Sequence, residues 1–233
     1  ANPGTSFTAA ENFRAVAATD IVNLDVGPSL RNTPHNFVLS TTFSKAIWGD
    51  NRTSITAFYQ RRAGAPLSAV FLGGYASDIG DTGGRARNMV YVPTDAADPL
   101  VNFGPGFDTN AFFAWADKNG LKRGAIQRKG QLDQNWSTDL DLRFQQEIPF
   151  FGGAKAKLYV DIENVLNALS SSWGTKSYIN TQDIGSAVGV VDANIDAGTN
   201  TYNYNSFTNP NSLQTPDAWD SLYRVQIGIR ADF

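Results

Sequence analysis

The last segment of the chain alternates between apolar and polar residues. Counted in steps of two, one row is apolar and consists of Tyr223, Val225, Ile227, Ile229, Ala231 and Phe233. The row between is polar or small and consists of Arg224, Gln226, Gly228, Arg230 and Asp232. Because successive side chains of a β-strand point to opposite faces, the alternation predicts a strand over 218–233 with one apolar and one polar face.

Four earlier segments repeat this alternation, at 35–47, 52–62, 135–148 and 154–167. Turn-forming residues separate the members of each pair, in Trp48-Gly-Asp-Asn51 and in Pro149-Phe-Phe-Gly-Gly153. We therefore predict two hairpins, over 35–62 and 135–167. In the second hairpin the charged residues share one row, which contains Asp139, Asp141, Arg143, Lys155, Lys157, Asp161 and Glu163.

The segments between these strands are rich in Asn, Thr, Gly and Pro and lose the alternation. We interpret 1–34 as a loop, 63–134 as a long insertion and 168–217 as a loop that carries a hairpin over 187–195 and 201–207. A short helix is predicted over 108–119, with Asp108 or Thr109 as its N-cap and Gly120 as its stop.

Composition supports an all-β fold and removes some classes of partner and site. Aromatic residues make up 12% of the chain and favour strands. The net charge of -3 gives no basis for nucleic-acid binding, which needs clustered Lys and Arg. The absence of cysteine excludes disulfides and thiolate metal ligands.

Two all-β folds remain compatible with the alternation, a soluble sandwich and a transmembrane antiparallel β-barrel with long extracellular loops. Three features favour the barrel: the strands are long enough to cross a bilayer when tilted, tight turns alternate with long loops, and aromatic residues lie near strand ends. These aromatic residues include Trp48, Tyr59, Trp136, Phe150, Phe151, Trp219, Tyr223 and Phe233.

Several motifs resemble those of one bacterial family. The ending Tyr223-Arg-Val-Gln-Ile-Gly-Ile-Arg-Ala-Asp-Phe233 is similar to the C-terminal signal that the barrel-assembly machinery reads in outer-membrane proteins. Lys157-Leu-Tyr-Val-Asp-Ile-Glu-Asn-Val-Leu-Asn167 resembles the penultimate-strand motif of TonB-dependent receptors, with Val165-Leu166-Asn167 replacing the commoner Leu-Phe-Asn. Arg31-Asn-Thr-Pro-His-Asn-Phe37, Phe58-Tyr-Gln-Arg-Arg-Ala-Gly-Ala-Pro66 and Tyr91-Val-Pro-Thr-Asp95 are similar to the Oar-like branch of that family.

The resemblance implies a transport receptor in the outer membrane of a Gram-negative cell. Such receptors contain a plug, which TonB contacts, and a barrel of more strands than this chain supplies. We therefore expect a C-terminal barrel portion that begins in an external loop near Ala1, with the plug and N-terminal strands as partners. Tyr223, Val225, Ile227, Ile229 and Phe233 would form the assembly signal, and the apolar rows would face outer-membrane lipid.

The charged rows would then line the lumen, with Arg224 and Arg230 joining the charged residues of the second hairpin. A turn centred near 151 would place Asp141 opposite Asp161 and Asp139 opposite Glu163, whereas a slip by two would pair Arg143 with Asp161. The acidic group could contact a cation or polar solute, or basic neighbours could neutralise it within a salt-linked lining.

Other candidate sites have weaker patterns. His35 is the sole histidine, and without cysteine it offers no familiar nucleophilic relay. Asp78 and Asp81 lack the spacing of an EF-hand, and Phe112, Phe113 and Trp115 favour packing over ligand binding. We expect no enzyme activity, metal or cofactor. The alternatives to a transport receptor are a structural or adhesive outer-membrane barrel and a soluble carbohydrate-binding sandwich.

Overall fold

The computed structural model of the chain describes residues 17, 18, 26–29, 32–72, 79, 88–179 and 187–232. The chain divides into two compact units. The long-strand unit comprises Thr33–Gly64, Asn135–Tyr178 and Pro216–Phe233. The mixed-sheet unit comprises Ala1–Asn32, Ala65–Gln134 and Ile179–Thr215.

Most described residues lie in strands, which confirms the all-β prediction. The strands are β1 (Asn36–Trp48), β2 (Asn51–Arg62), β3 (Pro66–Phe71), β4 (Tyr91–Val92), β5 (Val101–Phe103), β6 (Ala125–Ile126), β7 (Leu132–Asp133), β8 (Ser137–Pro149), β9 (Lys155–Glu163), β10 (Ser177–Ile179), β11 (Ala187–Asp196), β12 (Thr201–Phe207), β13 (Gln214–Pro216) and β14 (Arg224–Asp232). The α-helices are α1 (Thr109–Lys118), α2 (Val165–Leu169) and α3 (Ala218–Ser221), and 3-10 helices cover Phe151–Gly153 and Pro210–Leu213. No helix in the described part of the chain is both long and apolar enough to span a membrane.

The long-strand unit is built on one antiparallel sheet in the order β1-β2-β8-β9-β14. Both predicted hairpins are present, and all five predicted strands belong to this sheet. In the described residues the sheet does not close on itself, since β1 and β14 each have one neighbouring strand.

Two predicted strand ends were wrong. β9 ends at Glu163 and not at 167, because Asn164 adopts a left-handed conformation (φ 52°) and α2 follows it. The last strand begins at Arg224 and not near 218, because the Asp217 side chain accepts hydrogen bonds from the amides of Trp219 and Asp220 and starts α3. In both cases a local cap competes with continued strand pairing.

The connections of this sheet are very unequal. Residues 49–50 join β1 to β2, and 150–154 join β8 to β9, so both short turns lie at one end of the sheet. The long connections from β2 to β8 and from β9 to β14 leave from the opposite end. We call these ends the turn end and the loop end.

The mixed-sheet unit contains a second sheet in the order β5-β12-β11-β3-β7. The predicted hairpin over 187–207 forms its centre, as β11 and β12. β3 pairs with β11 and β5 with β12, in both cases parallel. The interpretation of 63–134 as an insertion whose only regular element is a helix was therefore incomplete, because β3 to β7 come from this segment. Every residue of β3 is buried, so its sequence lacks the alternation of a half-exposed strand.

Helix α1 confirms the helix predicted over 108–119. The Asp108 side chain accepts a hydrogen bond from the amide of Ala111 (2.9 Å) and so caps the helix. Phe112 and Trp115 are buried in the core of the mixed-sheet unit, where Phe112 packs edge-on against Tyr204. Packing, and not ligand contact, accounts for both side chains.

Asp98 is a buried carboxylate that organises the loop after β4. It accepts hydrogen bonds from the amides of Thr94 (2.8 Å) and Leu100 (2.9 Å) and from the Tyr91 hydroxyl (2.9 Å). Burial by itself would raise the pKa of Asp98, but these hydrogen bonds outweigh it and hold the pKa below its usual value. Burial and the bond to Asp98 raise the pKa of Tyr91 to about 12.

Candidate functional site

The five-stranded sheet of the long-strand unit has one apolar face, because the registers align the apolar rows of all five strands. Ile227 lies opposite Val160, Val160 opposite Phe144, and Phe144 opposite Ile55. Ile55 in turn lies opposite Phe43. Phe43 is 64% exposed and Ile227 is 69% exposed, so this face is uncovered in the described structure. Large exposed apolar patches are uncommon on soluble monomers and indicate a contact surface.

Charge is almost absent from this apolar face. Among the described strand residues, the apolar rows carry only two charged side chains, Lys45 and Arg61. Lys45 lies near the turn end and Arg61 at the loop end. Gln146 is a polar exception, and its side-chain oxygen accepts a hydrogen bond from the Thr53 hydroxyl (2.5 Å). The face is therefore an apolar band with a basic residue at each end.

The opposite face holds the residues that we predicted to line a lumen. Its strongest contact joins Arg143 and Asp161, which are directly opposite each other on β8 and β9. Nε donates to Oδ1 and an Nη donates to Oδ2, both at 2.6 Å. The register that places Asp141 opposite Asp161 was wrong, and the register slipped by two is the observed one.

Three further salt bridges involve charged residues of this face. Lys155 forms a salt bridge with Glu147 (3.2 Å) and donates to the carbonyl oxygen of Asp50 (2.8 Å). Asp139 forms a salt bridge with Lys176 (2.9 Å), which follows α2 in the chain. Arg224 and Glu163 approach more loosely, at 3.8 Å.

Lys157 and Arg230 occupy neighbouring register positions. Lys157 lies opposite Glu147 on one side and opposite Arg230 on the other. The structure therefore distributes the predicted lining residues along a salt-linked surface, and an isolated acidic site does not form.

Two adjoining cavities occupy the loop-end half of the polar face. One has a volume of about 210 Å³ and is lined by Thr56, Phe58, Arg143 and Asp161, among others. The second has a volume of about 290 Å³, and its lining combines Asp139, Glu163, Asp220, Lys176 and Arg224. Asp141 and Phe58 contribute to both cavities. Together they form a mixed-charge groove that a polar solute could enter.

Asn164 closes the loop end of this groove, and sequence reasoning did not single it out. The backbone N–H of Asn164 donates to Asp141 Oδ1 (2.8 Å). Its side-chain Nδ2 donates to the carbonyl oxygens of Gly174 (2.9 Å) and Ser221 (2.7 Å). The residue is buried, with φ 52°, a conformation that Asn tolerates better than most side chains. One side chain thus ties β9, the segment after α2, and α3 together.

The quoted motif ending at Asn167 contained the signal that could have identified this role. Asn164 and Asn167 stand three positions apart, and Asn167 Nδ2 donates to the carbonyl oxygen of Trp173 (3.2 Å). Both amides therefore bind backbone carbonyls of the segment that folds back after α2. An Asn pair at a strand end is a sequence signal for such a fold-back, because short amide side chains bind nearby backbone.

Four of the five residues of the predicted assembly signal belong to the edge strand β14 or directly precede it. Val225, Ile227 and Ile229 lie on the apolar face and are exposed, and Tyr223 immediately precedes the strand. Phe233 and the side chain of Asp232 lie outside the described part of the structure. The outer edge of β14 carries no further strand among the described residues.

The remaining candidates are the metal-ligating residues and the sole histidine. In the described ranges no group of three or more His, Asp or Glu side chains is arranged to hold a metal ion. Asp78 and Asp81 lie outside those ranges. His35 stacks on Trp136, with ring centroids 6.1 Å apart and planes 5° from parallel.

Comparisons with family models, with curated proteins and with solved structures each found no match to this chain.

Proposed function

We propose that the chain forms part of the barrel wall and external loops of a bacterial outer-membrane transport receptor of the TonB-dependent class. One observation carries this proposal: the five-stranded sheet has an uncovered apolar face and a salt-linked polar face, and its charges are divided accordingly. A membrane barrel needs this division, because its outer surface contacts lipid and its interior is polar.

Two further features support a membrane wall over a soluble sandwich. Strands β1 and β8 each contain 13 residues, which suits a tilted crossing of the bilayer better than the roughly five or six residues typical of strands in globular proteins. The short turns share one end and the long connections share the other, as in barrels with short periplasmic turns and long external loops. The turn end would face the periplasm.

In this proposal each face has a separate task. The apolar band contacts outer-membrane lipid, while the groove along Arg143, Asp161 and Asp139 contacts either the plug or a polar solute that passes it. Among the described residues, β1 and β14 each have one open edge, and in this proposal those edges would join further barrel strands, since open sheet edges are very costly in lipid. Transport would require movement of the plug coupled to TonB.

Fractionation of the native cell envelope tests the membrane assignment. We expect the protein in the outer membrane, with a gel mobility that changes on heating. Recovery in the soluble fraction would contradict a wall role and favour the soluble carbohydrate-binding alternative.

A second measurement separates transport from a structural or adhesive role. Cells that lack the protein would be compared with parent cells for uptake of labelled nutrients, with and without an uncoupler that collapses the proton-motive force. We expect at least one uptake activity that requires both the protein and the proton-motive force. Normal uptake of every nutrient, together with altered adhesion or envelope strength, would favour the structural alternative.

A further inference from the structure

A compact cluster of four side chains lies at the loop end of the apolar face. We call it the rim cluster, and it consists of His35, Phe37, Arg61 and Trp136. The Arg61 guanidinium carbon lies 5.3 Å from the centroid of the Trp136 ring. His35 and Phe37 both stack on Trp136, with centroid distances of 6.1 and 6.4 Å. The Trp136 indole therefore contacts the Arg61 guanidinium and the rings of His35 and Phe37.

Strand pairing positions each member of the cluster. Phe37 on β1 lies directly opposite Arg61 on β2, and Arg61 lies opposite Thr138, two residues after Trp136. The amide of Ala63 donates to the carbonyl oxygen of His35 (2.9 Å), which extends the β1–β2 pairing to that residue. Diagonal neighbours on a sheet are within reach of long and aromatic side chains.

The charge of Arg61 has no carboxylate partner in the described part of the chain, although most charged residues of the opposite face form salt bridges. Its row is apolar, with Tyr59, Ala57 and Ile55 following toward the turn end. Arg61 is exposed, so its guanidinium is accessible to water or to an external anion. The next residue, Arg62, belongs to the opposite row and provides a natural comparison.

We propose that the rim cluster binds the anionic phosphate of a lipid headgroup, with Arg61 as the charged ligand and His35 as an additional N–H donor. The inference rests on the proposed membrane role, because the apolar band places the acyl chains directly beside the cluster. Guanidinium groups bind phosphate through paired N–H donors. Trp side chains prefer the headgroup level of a bilayer, where one part of the ring is apolar and the other is wet.

The position of the cluster favours a lipid over free phosphate. A soluble phosphate needs donors on several sides, whereas the rim cluster offers donors at one margin of an apolar surface, with Phe37 exposed beside them. A lipid fits both the donors and the apolar surface, since its phosphate would contact Arg61 and its acyl chains would cover the adjacent apolar residues.

Lipid selectivity in vesicles tests this assignment. The assembled receptor that contains this chain, and its variants, would be reconstituted into phosphatidylcholine vesicles that contain brominated phosphatidylglycerol, and quenching of tryptophan fluorescence would give the relative binding of the two lipids. We expect Arg61→Gln to lower the preference for phosphatidylglycerol about fivefold, the change expected for one interfacial charge. Arg61→Lys should retain part of the preference, and Arg62→Gln should retain all of it.

Each other outcome has a definite meaning. Correct insertion of Arg61→Gln with an unchanged lipid preference would overturn the lipid site and leave the proposed membrane role intact. Displacement of brominated lipid by a large excess of inorganic phosphate would identify free phosphate as the ligand and would also overturn it. Failure of the unmodified, assembled receptor that contains this chain to insert at all, judged by an absent heat-dependent change in gel mobility, would overturn both proposals.

Discussion

Arg143 and Asp161 stand directly opposite each other on β8 and β9 and form a bidentate salt bridge with two contacts of 2.6 Å. The pair is a marker of register, because a slip by two residues would leave both side chains on the polar face but would separate them. Arg143 is also stacked near Tyr159, at 5.3 Å from the ring centroid. The salt bridge thus connects the register of the hairpin with the lining of the groove.

Cysteine pairs would test this register in a chain that has no cysteine of its own. We expect Arg143→Cys combined with Asp161→Cys to form a disulfide under mild oxidation, because directly opposite residues lie at about 4.5–5.5 Å between Cα atoms. Asp141→Cys combined with Asp161→Cys is the matched control and should stay reduced, since diagonal positions are about 7–8 Å apart. Gel mobility without reductant reports both results, and preferential oxidation of the control pair would contradict the register.

A charge introduced by substitution should have different effects on the apolar and polar faces of the five-stranded sheet. We expect Ile227→Arg to reduce folding of the receptor barrel that contains this chain into bilayers, at a cost of about 2–4 kcal/mol for a cation near the centre of the lipid. Gln226→Arg places the same side chain on the polar row of the same strand and should fold like the unmodified receptor. The folded fraction, measured by heat-modifiable gel mobility, checks the pair. Equal folding of both variants would contradict lipid contact at this face.

Asn164 should stabilise the fold-back after β9 more than its neighbour Asn167 does. Asn164→Ala removes two side-chain hydrogen bonds and places alanine at φ 52°, so we expect a loss of about 1–3 kcal/mol in unfolding free energy. Asn164→Gly permits the backbone conformation and isolates the contribution of the bonds. Protease cleavage within 165–178, together with denaturant midpoints, measures the effect.

Asn167→Ala is the control for that experiment, because its bonds are longer and more exposed. It should cause a smaller loss. If Asn164→Ala proved no more sensitive to protease than Asn167→Ala, the hydrogen bonds of the Asn164 side chain would have no stabilising role.

Acid should destabilise the mixed-sheet unit through Asp98. The folded pKa of Asp98 is lowered, so its contribution is present above its unfolded pKa near 4 and is lost as pH falls through the folded value. We expect Asp98→Asn to be less stable at neutral pH and to lose less further stability between about pH 5 and pH 2. Asp192→Asn changes an exposed carboxylate of the same unit and should retain the original acid sensitivity. Thermal unfolding across this pH range would show the difference, and an unchanged acid slope in Asp98→Asn would contradict the assignment.

Much of the long-strand unit could be predicted because its information is local. Each of its strands has one uncovered apolar face and one polar face, so period-two alternation indicated strand, face and hairpin together. The mixed-sheet unit gave a weaker signal. β3 is buried throughout, and its partner β11 lies far along the chain, so neither its strand nor its parallel pairing had a local pattern.

The sequence by itself determined which side chains of the five long strands share a face, since that depends only on backbone alternation. Tertiary structure decided the pairing of Arg143 with Asp161, because registers two residues apart preserve the faces and differ only in their cross-strand contacts. It also decided that β9 ends at Glu163, where Asn164 exchanges strand pairing for bonds to Gly174 and Ser221. Ser221 lies 57 positions from Asn164, and both hydrogen bonds exist only after the chain folds back.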